Sequence, residues 1–182
     1  MKLIFNHDSS IFNNDKPLIF LKVKREDETS QFMLENGWIP FYENKEEYWY
    51  QTKSARLKIK PISKKRKSEL NKLKISKSCQ NLFINCPIDL KYYNYGNFED
   101  FYFDDIFWGR VHFFENQVLY SSMNKTKDKK SYGTLSYYYL IDKFLDKFDY
   151  LYITDYFEQF SYKKNLPNFE YWDGTKWNTP TL

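Results

Sequence analysis

Cysteine and histidine are nearly absent from this chain, with two of each in 182 residues. Cys79 and Cys86 are separated by six residues, a spacing that fits neither a zinc site nor a disulfide framework, and no second pair completes four ligands. Both are expected as reduced, partly buried thiols. His7 and His112 are too isolated for a metal centre, and His112 lies in an apolar strand pattern that suits a structural histidine, so neither a metal nor a cofactor is expected. No Ser/His/Asp or Cys/His arrangement is present. Apolar runs are too short to span a bilayer, and Met1–Phe5 meets Asn6, His7 and Asp8 where a leader would stay apolar. The expectations are no membrane and a cytoplasmic location. No repeat or low-complexity linker divides the chain, which reads as one domain over 1–182, with 1–27 an N-terminal extension and 53–77 a basic surface segment.

What the chain has in abundance is aromatic. Phe, Tyr and Trp make up 21% of it, hydrophobic residues 42% and charged residues 29%, a balance that folds rather than stays disordered and that makes the core aromatic. Charge is unevenly spread. Between Lys53 and Lys77 eleven Lys and Arg stand against Glu69 alone, a local excess of +10; since the whole chain carries +4, the remainder carries −6. Such a stripe is the electrostatic footprint of a polyanion-binding protein, and equally of a solvated lysine-rich face; steep salt dependence of binding separates the two.

Along the chain, Pro17–Lys24 reads as a strand, and Glu26–Asn36 as a short helix stopped at Gly37. Trp38–Tyr42 and Tyr48–Gln51 are aromatic strands around a charged turn, Glu43–Glu47. Ala55–Ile59 alternates small or apolar residues with Arg56 and Lys58, an exposed strand pattern. Ser63 is an N-cap for a surface helix in Lys64–Lys74, with Leu70 and Leu73 as a thin apolar edge. Phe83–Tyr102 is irregular. Phe107–Phe114 and Val118–Met123 flank Glu115-Asn116-Gln117 as a hairpin.

The stretch from Val118 to Tyr156 organises the rest. A strand, Val118–Met123, leads through a polar lysine-rich loop, Asn124–Ser131, to an apolar periodic segment, Leu135–Phe148, and back to a strand, Tyr150–Thr154. This is a βαβ-like unit, and the loop before its helix is where backbone N–H groups and the helix dipole favour an anion. The expected fold is α/β or α+β, with a mixed, mostly antiparallel central sheet flanked by helices and a basic helix on one edge.

Four small motifs follow in order: Gly133-Thr134 with Ser136, Leu151-Tyr152 with Tyr156, Tyr162-Lys163 with Leu166 and Glu170, and Asp173-Gly174 with Trp177. In order and spacing they resemble the arginyl-tRNA–protein transferase family, including its shorter leucyl-transferring bacterial relatives. More faintly, Phe32–Trp38, Tyr48–Tyr50, Ala55-Arg56 and Ser63–Lys67 are similar to the family's earlier elements. The family's cysteine pairs are absent, so no regulatory cluster or metal is implied. The proline of its P-x-R, and the phenylalanine and proline after Y-K, are replaced or displaced.

The resemblance implies a GNAT-like acyltransferase fold in which aminoacyl-tRNA, a co-substrate, takes the place of acyl-CoA and the acceptor is the N-terminus of a protein or peptide. It implies that Lys129, Lys130, Gly133 and Thr134 meet the terminal phosphates of tRNA, while Arg56, Lys64, Lys65, Arg66 and Lys67 hold the acceptor stem by its backbone. Tyr152, Tyr156, Tyr162 and Lys163 would line the centre, with Glu158 or Asp155 accepting a proton or orienting the amine. Packing is the competing role for Tyr152, surface charge for Lys163, and a terminal turn seating Trp172 and Trp177 for Asp173-Gly174. The chemistry asks little of side chains, since a free amine attacks an already activated ester. A CoA-dependent N-acetyltransferase is the alternative, although Lys130–Leu135 offers its pyrophosphate loop a single glycine and a crowding leucine. A catalytically silent RNA-binding module is the third reading, which only turnover excludes.

Overall fold

A computed structural model of the chain describes residues 1–6, 21–73, 75–76, 97–103, 106–122, 132–155 and 158–180. It is an α+β structure with two mostly antiparallel sheets. The smaller sheet has the order β1-β2-β4-β3, from β1 (Lys2–Asn6), β2 (Leu21–Lys24), β3 (Trp38–Glu43) and β4 (Glu46–Gln51). The larger runs β12-β11-β5-β10-β9-β8-β7-β6, from β5 (Ser54–Lys58), β6 (Ile75–Ser76), β7 (Asn97–Phe103), β8 (Ile106–Phe114), β9 (Gln117–Ser122), β10 (Tyr150–Asp155), β11 (Phe169–Trp172) and β12 (Trp177–Asn178).

The βαβ unit expected from the sequence is present. β9 and β10 pair in parallel, with Leu151 opposite Val118, and α3 (Tyr132–Lys143) connects them. Leu135, Tyr137, Leu140, Ile141 and Phe144 form its buried stripe, each apolar side chain contributing on the order of 2 kcal/mol by leaving water. The β8–β9 hairpin also forms, with Glu115 taking a positive φ of 45° at its turn. The β3–β4 turn narrows to Asn44 and Lys45, at φ 51° and 66°, the left-handed pair that matches strand twist.

Alternation along the central strands divides the interior into two cores. Ala55, Leu57, Val118, Tyr120, Leu151 and Ile153 face one core, which α3 and Leu70 of α2 (Lys64–Leu70) cover. Leu119, Tyr152 and Phe114 face the other, closed by Val23, Trp38 and Trp49 of the smaller sheet and by Met33 and Leu34 of α1 (Ser30–Glu35). This corrects the expectation of one central sheet with helices on its faces: helices cover one side, and mainly a second sheet covers the other.

The local signals explain the helix ends. Thr29 accepts from the N–H of Phe32 at 3.1 Å, so α1 starts four residues later than the polar run at Glu26. Ser63 accepts from the N–H of Arg66 at 3.3 Å, as an N-cap should. The carbonyls just past α1 are met by side chains from elsewhere: Gln51 Nε2 donates to O of the C-cap Asn36 at 3.1 Å and Ser54 Oγ to Gly37 O at 2.5 Å. Gly37 sits at φ +78° with the Trp172 indole against its α-carbon, leaving no room for a side chain.

Candidate functional site

Three residues stand in one row across three neighbouring strands. On β5, Arg56 is the register partner of Tyr152 on β10 and of Glu170 on β11. Strand partners share a face, so all three point toward the second core. Arg56 Nε donates to Glu170 Oε2 at 2.7 Å, and Nη1 lies 3.5 Å from the Tyr152 hydroxyl. The guanidinium is also walled by rings, 3.8 Å from the Tyr150 centroid and 4.3 Å from that of Trp177. Trp177 is fixed in turn, its Nε1–H donating to Glu35 O at the end of α1 at 2.7 Å.

Ala55–Ile59 is therefore not an exposed strand, and this expectation is corrected. β5 lies between β10 and β11, and the Arg56 side chain keeps 12% of its surface. Charges on alternate positions resemble a solvated face; Lys58 at the end of β5 is indeed exposed, but Arg56 is satisfied by a carboxylate and aromatic rings far along the chain. Arg56 Nε, charged and almost enclosed, needs such a partner, since an unpaired buried charge is expensive.

Tyr152 has no exposed surface. Burial pushes its hydroxyl up to about 12, against the lowering effect of Arg56, so it stays neutral and accepts from Arg56 rather than abstracting protons. Lys163 is buried in the 3₁₀ segment Glu158–Asn165, which removes the surface-charge reading for it. Tyr162 is exposed, with its hydroxyl in hydrogen-bond contact with Tyr137 of α3. Asp155 closes β10 and Glu158 opens the 3₁₀ segment; their side chains, like Lys129, Lys130, Tyr156, His7, Cys79 and Cys86, lie outside the described residues.

The basic helix is on the opposite face of the large sheet from Arg56, so the structure separates these two parts of the expected RNA contact. Lys64, Lys65 and Lys67 are exposed, as the sequence pattern required. Arg66 pairs with Glu69 at 2.6 Å and lies 4.8 Å from the centroid of Tyr138 on α3, while Lys67 reaches Asp142 at 3.0 Å. The contacts to Tyr138 and Asp142, with Leu70 in the shared core, dock α2 on α3. Gly133 stands at the start of α3 with nothing within 4 Å of where a Cβ would lie, and Thr134 is half-buried beside it. Ser136 is structural: buried, it donates to Gly133 O at 2.8 Å and receives the Tyr120 hydroxyl at 3.0 Å.

Asp173 makes the turn between β11 and β12. Its carboxylate accepts from the N–H groups of Thr175 and Lys176 at 2.8 and 2.9 Å and from Asn178 Nδ2 at 2.6 Å. Burial acts to raise this carboxyl, but the donors outweigh it and hold it at about 2. The turn seats Trp172 against Trp177, ring centroids 5.5 Å apart. His112 is buried in β8 between the rings of Phe98 and Phe114. Among the described residues no group of His, Cys, Asp and Glu is placed to hold a metal, and no helix is long and apolar enough to cross a membrane.

Glu170, Tyr150 and Trp177 as partners of Arg56 were not visible from the sequence as site residues. The available signal was chemical: a charged side chain on a strand with apolar neighbours requires an opposite charge from another segment. No protein-family model matches the chain, and no curated protein matches it.

Proposed function

We propose that this chain is an aminoacyl-tRNA-dependent transferase on a GNAT-like fold, moving an amino acid from charged tRNA to the free α-amine of a protein or peptide. One observation carries the reading. Arg56, Tyr152, Glu170 and Trp177 belong to four separate motifs of the resemblance, and they meet in one cluster. Packing alone would not require a carboxylate, a guanidinium, a tyrosine and a tryptophan from those four places to converge.

In the reaction, the amine nitrogen attacks the ester carbonyl carbon. The tetrahedral adduct then expels the ribose oxygen; an amide bond forms, the ester bond breaks, and the proton lost by the amine balances the one gained by the leaving hydroxyl. Asp155 or Glu158 takes the amine proton. Tyr152 and Arg56 act by position, holding the floor of the site and the ends of β10 and β5 in register. The open space at Gly133 lets phosphate approach the first N–H groups of α3. Lys64, Lys65, Arg66 and Lys67 of α2 attract the acceptor stem from the other side of the sheet.

The test is transfer of radiolabelled amino acids from a total charged-tRNA pool to peptides of varied N-terminus, alongside the same peptides with acetyl-CoA. Label moving from tRNA supports the proposal and identifies the donor. Label moving only from acetyl-CoA replaces it with an N-acetyltransferase. No transfer from either, with tRNA binding intact, leaves an RNA-binding module.

A further inference from the structure

A cavity of about 200 Å³ opens beyond the C-terminal end of β5, lined by Lys60, Pro61, Arg66, Tyr138, Pro167 and Asn168 among others. It is smaller than the roughly 300 Å³ at which pockets for drug-sized ligands begin, so it suits a single ring system. Its walls are of three kinds. Arg66 over Tyr138, 4.8 Å from guanidinium carbon to ring centroid, makes a flat cationic and aromatic surface of the type on which bases stack. Pro61 and Pro167 add rigid apolar sides. Asn168, whose carboxamide carries both donor and acceptor, is exposed and lines the cavity as well.

The surroundings choose the ligand. Lys60 lines the cavity, exposed Lys64 and Lys65 directly follow Ser63, which also lines it, and the two acidic groups that α2 meets, Glu69 and Asp142, are already paired with Arg66 and Lys67. An electropositive rim around a flat slot favours an aromatic ring carried on a phosphate chain over an acidic or apolar peptide. We propose that this cavity receives one unpaired nucleotide of a single-stranded RNA segment, its base against the Arg66–Tyr138 wall and its flanking phosphates on Lys60, Lys64 and Lys65. The inference rests on RNA as a partner, as proposed above, and shares Lys64, Lys65 and Arg66 with the acceptor-stem contact; the cavity itself lies past the end of β5 at Lys58, away from the Arg56 cluster within that strand.

The experiment titrates the full chain into RNA decamers carrying one 2-aminopurine, across a range of salt concentrations, with adenosine monophosphate as a competitor. Binding is expected to change the 2-aminopurine emission. Tyr138→Ala weakens binding about tenfold, the size of one lost stacked base, and Asn168→Gly, which relieves the positive φ of 54° at that position, weakens it while leaving the fold undisturbed. The double variant Lys64→Gln with Lys65→Gln lowers the salt slope by about 1.4, at ~0.7 per phosphate contact on a single strand. Wild-type affinity and emission in both Tyr138→Ala and Asn168→Gly, each folded by circular dichroism, overturns the proposal. So does competition by adenosine monophosphate at the decamer's own concentration, which would mark a free-nucleotide site. RNA binding of this kind without amino-acid transfer leaves the cavity standing and removes the transferase; transfer unchanged in Tyr138→Ala, with wild-type RNA affinity, does the reverse.

Discussion

Arg56 and Glu170, 114 residues apart in the chain, meet at 2.7 Å as register partners on adjacent strands. With 12% and 17% of their side-chain surfaces exposed, the two charges depend on each other. Removing the carboxylate leaves a guanidinium between rings with no counter-charge. Glu170→Ala is therefore expected to cost about 3 kcal/mol, measured by urea denaturation. Arg56→Met combined with Glu170→Leu should recover most of that loss, because the desolvation cost goes with the pair. A double variant as unstable as the single one would show that the ion pair is not the source.

Gly133 separates stability from ligand binding. Alanine there meets no neighbour and improves helix propensity, so Gly133→Ala should stabilise the fold by roughly 0.5–1 kcal/mol. If phosphate approaches the start of α3, the same change weakens tRNA binding severalfold. A thermal melt and a filter-binding titration read the two effects independently.

Gly37 answers to both strain and space. Any side chain at φ +78° pays for the left-handed conformation and runs into the Trp172 indole. Gly37→Ala is expected to cost about 2 kcal/mol or more and to shift tryptophan emission, whereas the same substitution at Gly133 leaves emission unchanged.

Asp173 sets an acid limb. Its folded carboxyl sits at about 2 against an ordinary value of 3.8, so its contribution is complete above about pH 4 and is lost as pH falls toward 2. In Asp173→Asn the difference in stability from wild type should shrink across that window, followed by fluorescence of the Trp172–Trp177 pair. A constant difference from pH 6 to 2 would show that the turn does not depend on the charge.

Where periodicity changes sharply, the sequence was enough. The β9–α3–β10 unit shows in its changes of period, and the β8–β9 hairpin, the Ser63 cap and the Asp173 turn each rest on residues within a few positions of one another. Contacts across long separations were hidden. Ala55-Arg56-Leu57-Lys58 alternates like a half-solvated strand, and nothing local distinguishes water from Tyr150 and Trp177 as the cover for its polar face. Arg110 in β8 makes the same point: it is buried, with Asp100 of β7 receiving it at 2.7 and 2.9 Å. Three strands of the smaller sheet were legible but β1 was not, and the sheet was not legible as the lid of a second core, because lid and exposed hairpin share the same alternation. For the site, the motif residues were identifiable and their convergence was not; the cavity beside Tyr138 is built from three segments whose proximity no spacing encodes.

The separation of Arg56 from Glu170 also orders the birth of the protein. At a synthesis rate of about 5–20 residues per second, Arg56 emerges on the order of ten seconds before its carboxylate exists. For most of that interval β5 has neither neighbour, because β10 and β11, the strands on its two sides, both lie far downstream of it. The native partners of Arg56, Tyr152 on β10 and Glu170 on β11, can therefore meet it only after the residues between them have been made.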